Sequence, residues 1–156
     1  MRGVEKVFVV AVGLNQVELE ANVVDAAKRA GVTHVVKLSV IGAESPQIEF
    51  ARWHARAEQK LMASGLAWTM VRPGNFMTNS LGWADTIEAQ GAFYQPTGTG
   101  RWASIDPADI GAVAVAALTQ PGHEGKAYTI TGSDPMDGAG RTARPARRHE
   151  GRPRRR

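Results

Sequence analysis

Ser39 and His54 each carry a side chain open to a chemical and to a structural reading. Ser39 lies near the end of an apolar run, His34 to Val40, so its hydroxyl falls at a strand end. A hydroxyl there can donate a hydrogen bond to a carbonyl that gains negative charge during a reaction. It can equally bond local backbone. His54 falls inside a helical stretch, where an imidazole titrating near neutrality can bond a ligand oxygen or sit half-buried beside Trp53. Lys37 reads either as a surface charge or as a ligand contact. Arg72-Pro73-Gly74-Asn75-Phe76 follows a second apolar run, and Val12-Gly13 follows a third. Ligands of open α/β sheets collect beyond the carboxyl ends of strands, while proline and glycine are also ordinary loop punctuation. From the residues alone the structural reading is the favoured one for both segments.

Other chemistry is set aside by spacing. His34, His54, His123 and His149 lack the intervals of metal ligands, so no metal site is expected. Asp106 and Asp109 fall at a helix start, where carboxylates cap and meet the positive end of the dipole. Trp53, Trp68, Trp83 and Trp102 are scattered and read as packing residues.

The elements that must position these groups alternate. Glu5 to Val12 is a short β-branched run, as expected of a strand buried on both faces. Asn15 with Glu18 has the form of a capping box. Leu19, Val23, Ala26, Ala27 and Ala30 then recur at helical spacing, with Gly31 as the stop. His34 to Val40 is the second strand. Glu49 to about Ser64 is the second helix, with Phe50, Trp53, Ala57 and Leu61 on one face. Ala67 to Val71 is the third strand, and Asn79 caps a third helix to about Gln90. Ala92–Gln95 and Arg101–Ile105 have the look of a small hairpin. Asp106-Pro107 starts an alanine- and valine-rich helix, and Ala127 to Thr131 is a last strand. Short strands alternating with helices predict α/β crossover units and a parallel sheet.

The chain has 156 residues and no cysteine, which suits one domain and excludes a disulfide scaffold. No apolar run approaches the roughly 20 residues of a membrane span, and the start lacks a signal peptide's apolar stretch. The expectation is a cytoplasmic protein without a membrane partner. The net charge of +4 is unevenly spread. Residues 134–156 hold eight arginines and three acids, leaving 11 basic and 12 acidic groups in residues 1–133. The body therefore gives no reason to expect a specific nucleic-acid partner. The tail, rich in Gly, Ala, Arg and Pro, reads as a disordered segment. An arginine arm for phosphates is one account of it, and GC-rich DNA read out of frame is the favoured one.

Several stretches combine into a recognisable pattern. They are Asn22-Val-Val-Asp-Ala-Ala-Lys-Arg-Ala-Gly31, His34-Val-Val-Lys-Leu-Ser39, His54-Ala-Arg-Ala-Glu58 and Ser64-Gly-Leu-Ala-Trp-Thr-Met-Val-Arg-Pro-Gly74. Asp109-Ile-Gly-Ala-Val-Ala114 and Gly125-Lys-Ala-Tyr-Thr-Ile-Thr-Gly132 complete it. From about Gly3 to Gly132 the chain resembles the NmrA-like atypical short-chain dehydrogenases/reductases, particularly their NAD(P)H:quinone oxidoreductase branch.

The resemblance implies a Rossmann-type sheet that binds NADP or NAD. It implies hydride transfer from NAD(P)H to a small-molecule quinone or related carbonyl; the alternative is a non-catalytic NAD(P)-sensing regulator. It places Ser39 where the superfamily often carries a substrate-polarising serine. The superfamily's Tyr-x-x-x-Lys falls on Phe50 and His54, and phenylalanine has no proton to give. Ser39 and His54 are thus the catalytic candidates. Val12, Gly13, Lys37, Pro73, Gly74, Asn75 and Phe76 are the cofactor-contact candidates. The family's glycine-rich phosphate loop has no counterpart before a helix here, and the chain opens at what looks like the fourth strand. The expectation is a partial Rossmann-type sheet with flanking helices and a small hairpin over residues 1–133. It reads as a fragment with impaired cofactor binding and an exposed first strand.

Overall fold

A computed structural model describes residues 1, 3–93 and 98–137. The elements run β1 (Lys6–Val9), α1 (Gln16–Arg29), β2 (His34–Leu38), α2 (Glu49–Ala63), β3 (Ala67–Pro73), a 3-10 turn (Met77–Trp83), α3 (Ala84–Gln90), α4 (Pro107–Thr119) and β4 (Lys126–Ile130). The strands form one sheet in the order β1-β2-β3-β4, and every neighbouring pair is parallel. This is the α/β architecture that the alternation of elements predicts.

Side chains alternate across a strand, so each strand feeds two different cores. Val9, Val35 and Met70 join Val24 and Ala27 of α1 and Leu61 of α2 on one face. Val36 and Val71 join Ile105 and Ile110 and Ala117 of α4 on the other. Lys37 stands in register between Val9 and Met70, so it belongs to the α1–α2 face and is forced into that core.

Two helix boundaries follow the expected chemistry. Gly31 takes a φ of +77° just after α1, a conformation that costs glycine nothing. The Asp106 side chain accepts from the Ala108 N–H at 2.8 Å, with Pro107 in the first turn of α4. Three other expectations are corrected. Asn15 makes no side-chain cap, and the start of α1 is closed by backbone bonds from Glu18 and Leu19 to the Asn15 carbonyl. Asn79 does not cap a helix but lies within the 3-10 turn, donating to Asn75 Oδ1 at 2.9 Å. β1 is an edge strand rather than one buried on both faces, and Phe8 and Val10 are exposed.

The end of the expected hairpin's first arm, Ala92–Gln95, and the start of its turn fall on residues 94–97, outside the described residues. The second arm forms no strand: Trp102 bridges Met136 antiparallel, and Ile105 bridges Phe76 in parallel. Arg101 also donates to the Pro135 carbonyl at 2.8 Å. These contacts reach Pro135 and Met136; residues 138–156 lie outside the described residues. No helix among the described residues is long and apolar enough to cross a membrane.

Candidate functional site

The carboxyl ends of β1, β2 and β3 open into a cavity of about 420 Å³, within the range of about 300–1,000 Å³ usual for small-molecule sites. Three chain segments shape it. After β1 the chain passes through Val12 and Gly13, whose φ of +105° is a backbone state that glycine tolerates best. After β2 the ladder continues, Ser39 N–H donating to the Val71 carbonyl at 2.7 Å and Ile41 N–H to the Pro73 carbonyl at 2.9 Å. After β3 the loop at Gly74 packs so closely that a Cβ there would lie 3.4 Å from Thr131 Cγ2. The Asn75 carbonyl accepts from Ile105 N–H at 2.9 Å, and Met77 N–H donates to the Ile105 carbonyl at 2.9 Å. That loop is therefore pinned from both sides.

Ser39, His54, Val12, Gly13, Pro73, Gly74, Asn75 and Phe76 all line the cavity. Phe50 lines it too, its ring set edge-on to His54 with centroids 4.9 Å apart. The two positions aligned with Tyr-x-x-x-Lys thus share one wall. Among the described residues no Lys, Arg, Asp or Glu side chain lines the cavity.

Behind this uncharged wall lie a buried ion pair and a second that is partly buried. Lys37, 1% exposed, places its Nζ 2.7 Å from Glu20 Oε2 and 3.0 Å from Oε1. It also reaches the Leu38 carbonyl at 3.0 Å and His54 Nδ1 at 3.3 Å. Burial pushes the Lys37 ammonium down from its ordinary value and the Glu20 carboxyl up, and their mutual attraction opposes both shifts. Lys37 is accordingly neither the surface charge nor the direct ligand contact expected of it. Lys37 shares its face of β2 with Ser39 but sits two residues deeper, below the cavity lining, with its amine against His54 Nδ1.

The second pair governs Ser39. Glu58 takes two bonds from Arg72, Nε to Oε1 at 2.9 Å and Nη2 to Oε2 at 2.6 Å, and Glu44 lies 3.2 Å from Arg72 Nη1. The hydrogen bonds to Glu58 hold the Arg72 guanidinium above its usual value, against its burial. Ser39 Oγ, 4% exposed, donates to Glu58 Oε1 at 2.5 Å. A hydroxyl has one proton, so in this arrangement Ser39 offers lone pairs and not the donor bond expected of it.

His54 is the remaining candidate donor. Burial first, and then the nearby Lys37 ammonium, push it down to about 4. It is not the near-neutral titrating group expected from an ordinary histidine but a neutral imidazole at physiological pH.

Sequence reasoning missed Gln16, which opens α1, lines the cavity and is buried with its amide nitrogen unpartnered among the described residues. It also missed Glu20, which lies off the stripe of Leu19, Val23, Ala26, Ala27 and Ala30. The available signal was the run Gln16, Glu20, Val24, Ala27, whose spacing is one helical stripe, all of it buried. Among the described residues no cluster of three His, Asp or Glu could hold a metal ion.

Residues 1–121 match the family model described as NAD(P)H-binding. The NAD(P)H azoreductase of Xenophilus azovorans is 48% identical over 140 residues, covering 88% of this chain and 49% of that protein. The (4-alkanoyl-5-oxo-2,5-dihydrofuran-3-yl)methyl phosphate reductase of Streptomyces griseus subsp. griseus is 42% identical over 149 residues, covering 94% of this chain and 52% of the relative. Among solved structures, an NADPH-dependent quinone oxidoreductase from Escherichia coli, complexed with NADPH, superposes with a TM-score of 0.79 at 31% identity. That match covers 86% of this chain and 48% of the other. The chain spans about half the length of the curated relatives it matches.

Proposed function

The chain belongs to the NAD(P)H-binding family, and from that premise we propose that its cavity is where hydride passes from NAD(P)H to a quinone or related carbonyl. One observation carries this reading: the cavity at the carboxyl edge of the sheet has uncharged walls and sets a neutral imidazole among them. NAD(P)H, when bound, supplies the hydride. Flat, uncharged rings suit such walls, and exclusion of water strengthens each hydrogen bond made there.

Val12, Gly13, Pro73, Gly74, Asn75 and Phe76 pack around the nicotinamide end. His54 bonds the acceptor oxygen on which negative charge grows. The lone pairs of Ser39 take a donor from the bound molecules. The buried amide nitrogen of Gln16 supports a ligand at this wall, because buried donors are almost always paired, and a ligand oxygen would complete it. Among the described residues the lining has no cation, and the β1–α1 connection holds one glycine, Gly13. These residues therefore fit the ring end of a dinucleotide and not its pyrophosphate.

The test is menadione reduction by the full chain with saturating NADPH, binding being followed by nicotinamide fluorescence. Turnover is expected, and His54→Phe is expected to lower it by on the order of 100-fold, the cost of removing one donor to a developing oxyanion. Turnover that is absent, or indifferent to His54→Phe, overturns the reading. NADPH binding without turnover would favour the regulator.

A further inference from the structure

We infer that Lys37 and Glu20 are positioning residues for His54, which they hold as the neutral tautomer with its proton on Nε2, so that His54 meets its ligand as a hydrogen-bond donor. The inference rests on the reading above only for what accepts that N–H.

The tautomer is decided at one nitrogen, His54 Nδ1. Lys37 is held between Val9 and Met70, where its amine meets no water. Three acceptor groups surround it: the Glu20 carboxylate at 2.7 and 3.0 Å, the Leu38 carbonyl at 3.0 Å and His54 Nδ1 at 3.3 Å. An ammonium carries three donors and no acceptor, so this set consumes it completely. Nδ1 must then present its lone pair, and the ring proton of the neutral imidazole resides on Nε2. The nitrogen engaged by one partner fixes the role of the other, as with any histidine whose ring is held from one side.

The remaining charges do not compete. From β2 His54 faces Lys37, and from α1 it faces Glu20 only through Lys37. On α2 itself the nearest acid is Glu58, one turn on, which is occupied by Arg72 from β3 and by Ser39. A second proton on His54 would set imidazolium against ammonium at 3.3 Å. The Phe50 ring packs edge-on against the imidazole and offers it no proton. Glu20 matters because it keeps Lys37 charged; without that carboxylate a buried amine sheds its proton, and the tautomer is no longer dictated.

Two-bond proton–nitrogen correlation spectra of the ¹⁵N-labelled full chain read the tautomer directly. The His54 signals are identified by their loss in His54→Gln. The expected pattern is protonated Nε2 and bare Nδ1, persisting well below the ordinary histidine pKa of 6.5, with protonation at about 4. A proton on Nδ1, or titration at the ordinary value, overturns the inference. The double variant Lys37→Met/Glu20→Met removes both charges, so that neither is left alone in the core. It is expected to yield a mixture of tautomers and a higher midpoint; an unchanged tautomer and midpoint contradict the assignment. If that variant does not fold, the spectrum of the unaltered chain still decides. These readouts use neither NADPH nor menadione. The expected tautomer without turnover sinks only the hydride-transfer reading, and an Nδ1 proton sinks only this inference.

Discussion

The α1–α2 face of the sheet buries Glu20, Lys37, His54 and Glu58, tied to one another and to Arg72, whereas the α4 face buries an apolar cluster of Val36, Val71, Ile105, Ile110 and Ala117. Both faces are supplied by the same strands, through alternate residues. Buried ion pairs are poor sources of stability, since desolvation consumes most of their attraction. The buried Glu20–Lys37 pair and the partly buried Glu58–Arg72 pair lie behind the cavity and fix the side chains of its wall, His54 and Ser39. The α4 face contributes packing.

The contrast is open to attack at several points. Lys37→Met leaves the Glu20 carboxylate alone in the core and is expected to cost about 3–5 kcal/mol in denaturant unfolding. A loss under 1 kcal/mol would mean that the pair is not truly buried. Next is acid sensitivity. His54 falls from 6.5 unfolded to about 4 folded, so between those values the unfolded chain binds the extra proton. Its contribution is present in full above 6.5, is lost as pH falls towards 4, and changes no further below that. The loss is roughly 3 kcal/mol at 1.36 kcal/mol per pKa unit. Burial also depresses His34 at the far end of β2, which adds to the same slope. Denaturation midpoints across this range should fall with acid, and His54→Gln should flatten most of the fall.

On the other face, Ile110→Ala is expected to cost about 2 kcal/mol from cavity formation, with the acid slope untouched. A changed slope would mean that the two faces are coupled. The smallest effect is Asp106→Ala, which removes the cap of α4 and should cost about 1 kcal/mol, read as a lowered thermal midpoint.

The parts legible in the sequence were those governed by local rules. The runs at β2 and β3, the glycine after α1 and the Asp106-Pro107 start of α4 each encode their conformation in a few adjacent residues. The loops at Val12-Gly13 and Pro73 to Phe76 were legible because strand order alone carries them to the carboxyl edge. What was not legible depends on distant partners. Glu20 looks like a solvent residue until β2 brings Lys37 beneath it, and neither charge signals the other across 17 positions. Ser39 shows a hydroxyl but not the Glu58 that takes its proton. Asn15 and Asn79 have cap-forming side chains that local spacing favours, yet backbone bonds and Asn75 claim those sites. The edge position of β1 is a property of the sheet and not of the β1 residues.

The most direct measurement of the central claim maps amide chemical shifts of the labelled chain as menadione is added. Changes are expected at residues 10–13, 39–41, 50–54 and 73–79, where the cavity walls lie, with the solvent side of α4 silent. Changes gathered on α4, or none at saturating menadione, would contradict that claim.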